Sequence, residues 1–212
     1  MDERLRRAAA LAIGFMPEEE GLALYEAACV GLPHGPILEI GSYCGKSTTY
    51  LAAAAREGGG VVYSIDHHRG SEEHQPGQQY FDPRLVDPTT GRVDTLRAFR
   101  WHLEAAEIQD VVVPIVARAE TLAPVWVKPL GFLFIDGSHS AEAAHRDYEG
   151  WAPHVVLGGL LAIHDVFEDP AAGGRPPYEI YRRALDSREF GEMRAVGSLR
   201  VLQRVRKSLR GI

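Results

Sequence analysis

The chain has 212 residues, 45% of them hydrophobic, and a formal net charge of -6, which suffices for one well-buried α/β domain. The negative charge argues against a nucleic-acid-binding protein, since such proteins normally carry a basic face. Two cysteines, Cys29 and Cys44, are too few for a disulfide framework. No stretch approaches membrane-spanning length and no secretory cleavage site follows the N-terminal residues, so the sequence predicts a cytoplasmic protein that binds neither membrane nor nucleic acid.

The first 40 residues predict a helical segment, residues 1–34, followed by a buried strand. Residues 1–16 are predicted to form a short helix. Pro17 and the three glutamates after it are typical of a helix start, and this second helix is expected to run to about Val30. Ile37–Ile40 is a short apolar run, as a strand buried on both faces requires.

A turn with two glycines, Gly41-Ser-Tyr-Cys-Gly45, follows this strand and opens a helix that is expected to end near Arg56. A P-loop needs four residues between its glycines and this turn has three, and the full glycine pattern of dinucleotide-binding proteins is also missing. The turn therefore predicts a backbone cradle for a ligand near the strand end. Residues 61–65 form the next predicted strand, and the acid after it, Asp66, is placed to bind ribose hydroxyls.

The segment from residue 67 to 93 is polar, rich in proline and glycine, and longer than most connections in a compact domain. We interpret it as a lid over the active site. Beyond it, residues 95–107 have apolar side chains at helical spacing, residues 111–116 form a β-branched strand, and residues 121–127 predict a short helix or turn.

Residues 132–165 are the stretch around which we expect the chain to be organised. Two apolar runs, residues 132–135 and 160–163, flank a helix predicted over Ala141–Trp151, and Pro153 and Gly158-Gly159 are expected to stop that helix. The first run ends in Asp136 and the second in His164-Asp165, and adjacent parallel strand ends lie about 5 Å apart. Because ligands bind at that edge of α/β sheets, these groups and His139 indicate a metal or proton-transfer site; the alternative is two capping aspartates and loop histidines.

The last 45 residues predict a loop, a helix and a hairpin. Residues 167–177 are expected to be a loop on the ligand edge and residues 178–185 a helix. Residues 193–196 and 199–205, joined by Gly197-Ser198, predict two strands that close the sheet.

This order of elements resembles the class I S-adenosylmethionine-dependent methyltransferases over roughly residues 20–205. The resemblance rests on the acidic strand end and glycine turn from Glu39 to Gly45, on Asp66, and on Arg118-Ala119-Glu120 where that family lines the adenine pocket. It implies one α/β, Rossmann-like domain over residues 1–212, with a seven-stranded, mostly parallel sheet and a C-terminal antiparallel hairpin. It further implies that S-adenosylmethionine is bound by Glu39, Gly41, Ser42, Gly45, Ser47, Thr48, Asp66, His67, Arg118, Ala119 and Asp136.

The Asp136–Asp165 stretch is similar to that of the metal-dependent O-methyltransferases that act on macrolide sugars, and cephalosporin-hydroxylase-like proteins share this layout. In size the chain resembles small actinobacterial enzymes that methylate mannose-containing oligosaccharides. The resemblance implies that Asp136 and Asp165 bind Mg²⁺, with Mn²⁺ as the alternative, and that His139 is the general base. His164 stands where the family has a carboxylate, so it either changes the metal or contacts it through water.

The expected function is therefore O-methylation of a hydroxyl on a small-molecule or oligosaccharide acceptor. For the oligomeric state, we consider a homodimer. Two alternatives stay open at this point. One is a nucleotide-binding oxidoreductase or NTPase of Rossmann-like fold, and the other is a non-catalytic protein that binds S-adenosylmethionine.

Overall fold

The computed structural model describes residues 1–137 and 140–206, and in this part of the chain seven α-helices surround one seven-stranded sheet. The helices are α1 Glu3–Leu11, α2 Glu18–Gly31, α3 Lys46–Gly58, α4 Leu96–Ala105, α5 Ala119–Leu122, α6 Ala141–Trp151 and α7 Arg175–Asp186. The strands are β1 Ile37–Ile40, β2 Val62–Asp66, β3 Val112–Val116, β4 Leu130–Ile135, β5 Val155–Ile163, β6 Phe190–Val196 and β7 Leu199–Arg204.

The strand order is β3-β2-β1-β4-β5-β7-β6. Strands β1 to β5 pair in parallel, and β7 is antiparallel to both β5 and β6. The predicted mostly parallel sheet with a C-terminal antiparallel hairpin is thus confirmed. The chain order reverses between β1 and β4, where Ile40 is in register with Ile135, and such a switch point is where an open α/β sheet binds its ligands.

Two apolar layers enclose the sheet, because successive side chains of a buried strand point to opposite faces. Phe132 and Phe134 of β4 belong to a core with residues of α1 to α4. Leu133 and Ile135 of the same strand belong to a second core, with α6 and α7, that includes the fully buried Trp151. Strand β4 is buried on both faces, as its unbroken apolar sequence predicted.

The helix stops at Trp151, as predicted, but the strand that follows is longer than the apolar run at residues 160–163. Strand β5 begins at Val155 and contains both glycines. Gly158 has a φ of +85°, and a Cβ on Gly159 would lie 3.0 Å from the carbonyl oxygen of Gly131 on β4. The glycines allow an irregular register and a close backbone approach between β4 and β5.

The predicted helix at residues 178–185 begins earlier than expected, because α7 starts at Arg175 and holds Pro176 and Pro177 in its first turn. Proline is compatible with that position, where its missing N–H has no helical partner. The interval predicted as a lid, residues 67–93, contains short 3₁₀ turns at Glu72–His74 and Pro83–Leu85. Among the helices of the described residues, none is long and apolar enough to span a membrane.

Candidate functional site

Two adjoining cavities open at the carboxyl ends of β1, β2 and β4. The smaller has a volume of about 120 Å³ and includes Asp66, Ala119 and Asp147 in its lining. The larger, of about 630 Å³, is lined by residues that include His164 and Asp165. Both cavities share Gly41, Tyr43, His74, Asp136 and Gly137 as lining residues. The smaller cavity alone is below the usual size of a cofactor pocket, whereas the two together reach it.

The glycine turn after β1 is held in place by Asp66. The Oδ2 atom of Asp66 accepts hydrogen bonds from the backbone N–H groups of Ser42 at 3.0 Å and Tyr43 at 2.8 Å. Its Oδ1 atom accepts one from His68 N at 2.7 Å. The two N–H groups of the expected backbone cradle are therefore taken by Asp66. A carboxylate has about four acceptor sites, so one remains on Oδ1 of Asp66, which lines the cavity where ribose binding was predicted.

Glu39 lies behind the turn and lines neither cavity. It is fully buried and accepts hydrogen bonds from Ser47 at 2.5 Å, Thr48 at 2.6 Å and Ser64 at 2.6 Å. Burial raises the pKa of Glu39 to about 7, and these hydroxyl donors oppose the rise. These hydrogen bonds hold β1 to β2 and α3 in the described structure. Of Glu39, Ser47 and Thr48, which were all predicted to bind the cofactor, Ser47 alone lines the larger cavity.

Two glycines shape the turn itself. Gly41 has a φ of +87°, and a Cβ there would lie 2.1 Å from the carbonyl oxygen of Asp136. Gly45 has a φ of +97° and precedes α3. The left-handed region suits glycine, so both glycines have a backbone role. Ser42 lies between them, and its Oγ is buried without a hydrogen-bond partner among the described residues.

The remaining residues predicted to bind a cofactor line the smaller cavity: His67, Arg118, Ala119 and Asp136. His67 follows β2, and its Nδ1 accepts a hydrogen bond from Arg69 N at 3.0 Å. Arg118 precedes α5 and pairs with Glu120 at 4.0 Å. The structure therefore brings the predicted ribose and adenine residues to one cavity.

Asp136, His164 and Asp165 form one cluster, as their positions at adjacent strand ends predicted. Ligand atoms of the three residues lie within 4.8 Å of one another. His164 Nδ1 donates to Asp136 Oδ1 at 3.0 Å and lies 3.5 Å from Asp165 Oδ1. Asp165 has a φ of 55°, a left-handed conformation that aspartate tolerates better than most residues.

Glu20 on α2 is a fourth member of this cluster that the sequence analysis missed. Its Oε2 accepts from His164 Nε2 at 2.6 Å, and its Oε1 accepts from Ser198 N at 2.7 Å. Both ring nitrogens of His164 therefore donate to carboxylates. Burial lowers the pKa of His164, but Asp136 and Glu20 outweigh burial and hold that pKa well above its ordinary value.

The sequence contained a signal for Glu20. Glu20 lies on the buried face of α2 with Ala23, Leu24 and Ala27. This spacing predicts a buried carboxylate, and a buried carboxylate needs a hydrogen-bond or charge partner. The same acid also fits the start of a helix, where three glutamates face the positive end of the helix dipole. His139, the predicted general base, lies outside the described residues, and its role stays a prediction.

Aromatic rings line one side of the larger cavity. Tyr43 and His74 stack with ring centroids 4.7 Å apart, and Phe15 and Tyr80 lie 4.9 Å apart. Phe15 also lies 5.8 Å from Tyr43. We call Phe15, Tyr43, His74 and Tyr80 the aromatic wall. It joins the segment after α1 and the interval predicted as a lid to the glycine turn.

The fold is that of a Rossmann-like methyltransferase, and solved structures of that class resemble the chain. The O-methyltransferase NovP matches with a TM-score of 0.70 and 16% identity, covering 97% of this chain and 89% of NovP. The O-methyltransferase TomG from Streptomyces achromogenes, involved in tomaymycin synthesis and solved with S-adenosylmethionine, matches with a TM-score of 0.64 and 16% identity, covering 97% and 91%. The Podospora anserina methyltransferase PaMTH1, solved with S-adenosylhomocysteine, has a TM-score of 0.63 at 13% identity, covering 96% and 88%.

A family model described as a methyltransferase domain matches residues 38–166, which is more than half of the chain. The matched region runs from β1 to the residue after Asp165 and so contains the glycine turn and both predicted metal-binding aspartates. The chain belongs to this methyltransferase domain family.

Proposed function

We propose that the protein is an S-adenosylmethionine-dependent O-methyltransferase that uses a divalent cation and acts on a hydroxyl of a sugar or a glycosylated small molecule. The observation that carries this proposal is the shared lining of the two cavities at Asp136 and Gly137. Methyl transfer requires the cofactor and the acceptor to meet in line within one water-excluding site. Two cavities that meet at the strand ends support such an arrangement.

The residues present fit the cofactor. The smaller cavity offers Asp66 for ribose hydroxyls and apolar side chains such as Ile65 and Ala119 for a flat ring. At the larger cavity the buried Oγ of Ser42 has no hydrogen-bond partner within the described part of the chain, and it suits a polar group of the methionine moiety. TomG was solved with S-adenosylmethionine, which supports the same cofactor for this chain.

The donor set also fits a divalent cation. Asp136 and Asp165 reach the larger cavity with side chains that are 21% and 29% exposed, and these residues would hold the ion. Carboxylate oxygens suit Mg²⁺, and an imidazole nitrogen suits Mn²⁺ better. Both ring nitrogens of His164 are hydrogen-bonded to carboxylates. His164 would therefore bind the cation only after its hydrogen bond to Asp136 breaks.

The chemistry divides between the bound groups and the chain. S-adenosylmethionine supplies an electrophilic methyl group, and a divalent cation supplies positive charge that favours the ionised form of a hydroxyl. The chain's own residues position the acceptor and exclude water. His164, clamped between Glu20 and Asp136, fixes the Asp136 carboxylate at the junction of the cavities. Removal of the acceptor proton is the role that we assign to His139.

The larger cavity favours a ring-shaped acceptor with several hydroxyl groups. The aromatic wall offers π faces, on which apolar faces of rings pack. Lys46, Glu73 and Gln79 line the same cavity with polar groups, which can bond to hydroxyls. A sugar combines an apolar face with a hydroxylated rim and so matches this lining.

The test is methyl transfer from radiolabelled S-adenosylmethionine to a panel of mannosides, other glycosides and catechols. We expect label in a glycoside, loss of turnover in excess chelator, and recovery with Mg²⁺ or Mn²⁺. Asp165→Asn should abolish turnover and keep S-adenosylhomocysteine binding. Asp186→Asn, an exposed control on α7, should leave both unchanged. Full turnover in excess chelator would remove the cation from the proposal, and labelling of catechols alone would overturn the acceptor class.

A further inference from the structure

Asp147 is a buried acid at the smaller cavity that neither the sequence analysis nor the proposed mechanism uses. It lies on the inner stripe of α6 with Ala144, Tyr148 and Trp151, and it is 5% exposed. It lines the smaller cavity, and its carboxyl makes no hydrogen bond with any residue in the described ranges. Buried polar groups in native proteins are rarely left without a partner. The Asp147 carboxyl is thus placed to bond to whatever occupies the cavity.

The position of the carboxyl is defined by the loop after β4. A Cβ added to Gly137 would lie 3.0 Å from Asp147 Oδ2, so the carboxyl lies beside the backbone of that loop. Ile40, Ile65 and Ala119 give the cavity apolar sides. A small cavity with these apolar sides and a carboxyl at its wall is suited to a flat heterocycle that has hydrogen-bonding atoms on one edge.

Resting on the cofactor of the proposed function, we propose that the Asp147 carboxyl recognises the N1–N6 edge of the adenine ring. A neutral carboxyl has one O–H donor and one carbonyl acceptor. Adenine has an acceptor at N1 and an amino donor at N6, so the two groups match in a pair of hydrogen bonds. A carboxylate would match N6 alone and would face the lone pair of N1.

The surroundings of Asp147 favour its neutral form. Burial, and then the negative charge of Glu120 on α5, raise the pKa of Asp147 to about 7. Glu120 is in turn paired with Arg118. Asp136 bonds to His164, and the His154 ring lies against that of Trp151. The charged groups of α7 have partners other than Asp147: Arg175 with the Glu168 carbonyl, Glu179 with His145, Arg182 with Asp186, and Arg183 with Glu149.

This chemistry predicts how cofactor affinity depends on pH. If the protonated carboxyl binds adenine, affinity falls as pH rises through the pKa of Asp147. Asp147→Asn replaces the O–H donor with an amide N–H donor and keeps a carbonyl acceptor, and it cannot titrate. The asparagine variant should therefore bind at all pH values about as well as the wild type binds at acid pH. Asp147→Ala removes both hydrogen bonds.

Calorimetry with S-adenosylhomocysteine at about pH 6 and about pH 8.5, on either side of that pKa, tests the assignment. We expect Asp147→Ala to bind about 10- to 100-fold more weakly than wild type at the lower pH, as the loss of two hydrogen bonds implies. The component of the pH dependence that Asp147 causes should be missing from Asp147→Asn. A ligand with carbon in place of adenine N1 should bind the wild type more weakly than S-adenosylhomocysteine does. The two ligands should bind Asp147→Ala equally well. This comparison of ligands remains valid if the alanine variant is less stable than the wild type.

The outcomes separate the two claims. Wild type that fails to bind S-adenosylhomocysteine would overturn the proposed function and this inference together. Wild type that binds it, with an unchanged affinity in Asp147→Ala and for the N1-substituted ligand, would overturn the adenine assignment alone. Loss of affinity in Asp147→Asn equal to that in Asp147→Ala would also overturn it, because the amide supplies the same donor and acceptor.

Discussion

Removal of the Glu20 side chain should destabilise the protein strongly, although Glu20 lies 116 residues before Asp136 in the sequence. In the folded chain Glu20 is 5% exposed and bonds to His164 Nε2 and Ser198 N. The variant Glu20→Ala leaves both donors buried without their acceptor. It also removes the hydrogen bonds by which Ser198, in the β6–β7 turn, is tied to α2.

The size of the effect follows from the burial of the pair. The side chains of Glu20 and His164 are 7% and 6% exposed, and removing one partner of such a pair costs about 3–5 kcal/mol. For a chain of this length that corresponds to a fall in Tm of about 6–20 °C. Glu20→Gln retains one acceptor oxygen and should cost about 1–3 kcal/mol.

Urea unfolding followed by circular dichroism measures these differences, and Glu19→Ala is the matched control. Glu19 is the preceding residue, lies in the same helical turn and is exposed, so its substitution should change the free energy of unfolding by no more than about 0.5 kcal/mol. An unfolding free energy for Glu20→Ala within about 1 kcal/mol of that control would refute the buried network.

Three further predictions concern the turn, a buried histidine and the ribose site. Gly41→Ala should destabilise by about 1–3 kcal/mol in a thermal melt and reduce cofactor binding, because its Cβ meets the Asp136 carbonyl. Gly59 has a φ of +67°, and a Cβ added there would have no atom within 4 Å. Gly59→Ala therefore introduces backbone strain without a clash and should lower the stability less than Gly41→Ala; an equal loss of stability would contradict the clash at Gly41. Burial lowers the pKa of His102, so the unfolded chain binds more protons and stability falls as pH drops through about 6.5. His102→Gln should flatten that fall in unfolding free energy, and an unchanged slope would exclude His102 as a cause. Asp66→Asn should weaken S-adenosylhomocysteine binding about 5- to 100-fold in calorimetry, because its amide group faces backbone donors; unchanged affinity would place the ribose elsewhere.

The sheet was predictable from the sequence because the apolar runs, the residues that end them and the helix caps all favour the same elements. The apolar runs at β1 and β4 ended in glycine or aspartate, and the predicted helix Ala141–Trp151 has the predicted bounds, with Ser140 accepting from Ala143 N at 3.3 Å. Side chains at the ends of adjacent parallel strands meet by geometry. The grouping of Asp136, His164 and Asp165 was therefore predictable without a structure.

The features that the sequence analysis missed depend on contacts between distant residues. Glycine weakens a strand interior, so the pair at residues 158 and 159 does not predict a strand, and the need for Gly159 inside β5 arises from the Gly131 backbone that approaches it. Glu20 and Asp147 each occupy the buried stripe of an amphipathic helix, which indicates a buried acid but not its partner. The partners, His164 for Glu20 and the cavity for Asp147, follow only from how the helices pack on the sheet.

Calorimetric titration of the wild-type protein with S-adenosylhomocysteine tests the central claim most directly, because every proposed step requires this cofactor at the β1–β4 switch point. The account predicts a saturable one-to-one isotherm in the presence of chelator, since the cofactor groups are distinct from Asp165, and weakened binding in Asp66→Asn. The absence of binding, together with saturable binding of NAD or ATP, would contradict the account and favour a nucleotide-binding protein of the same fold.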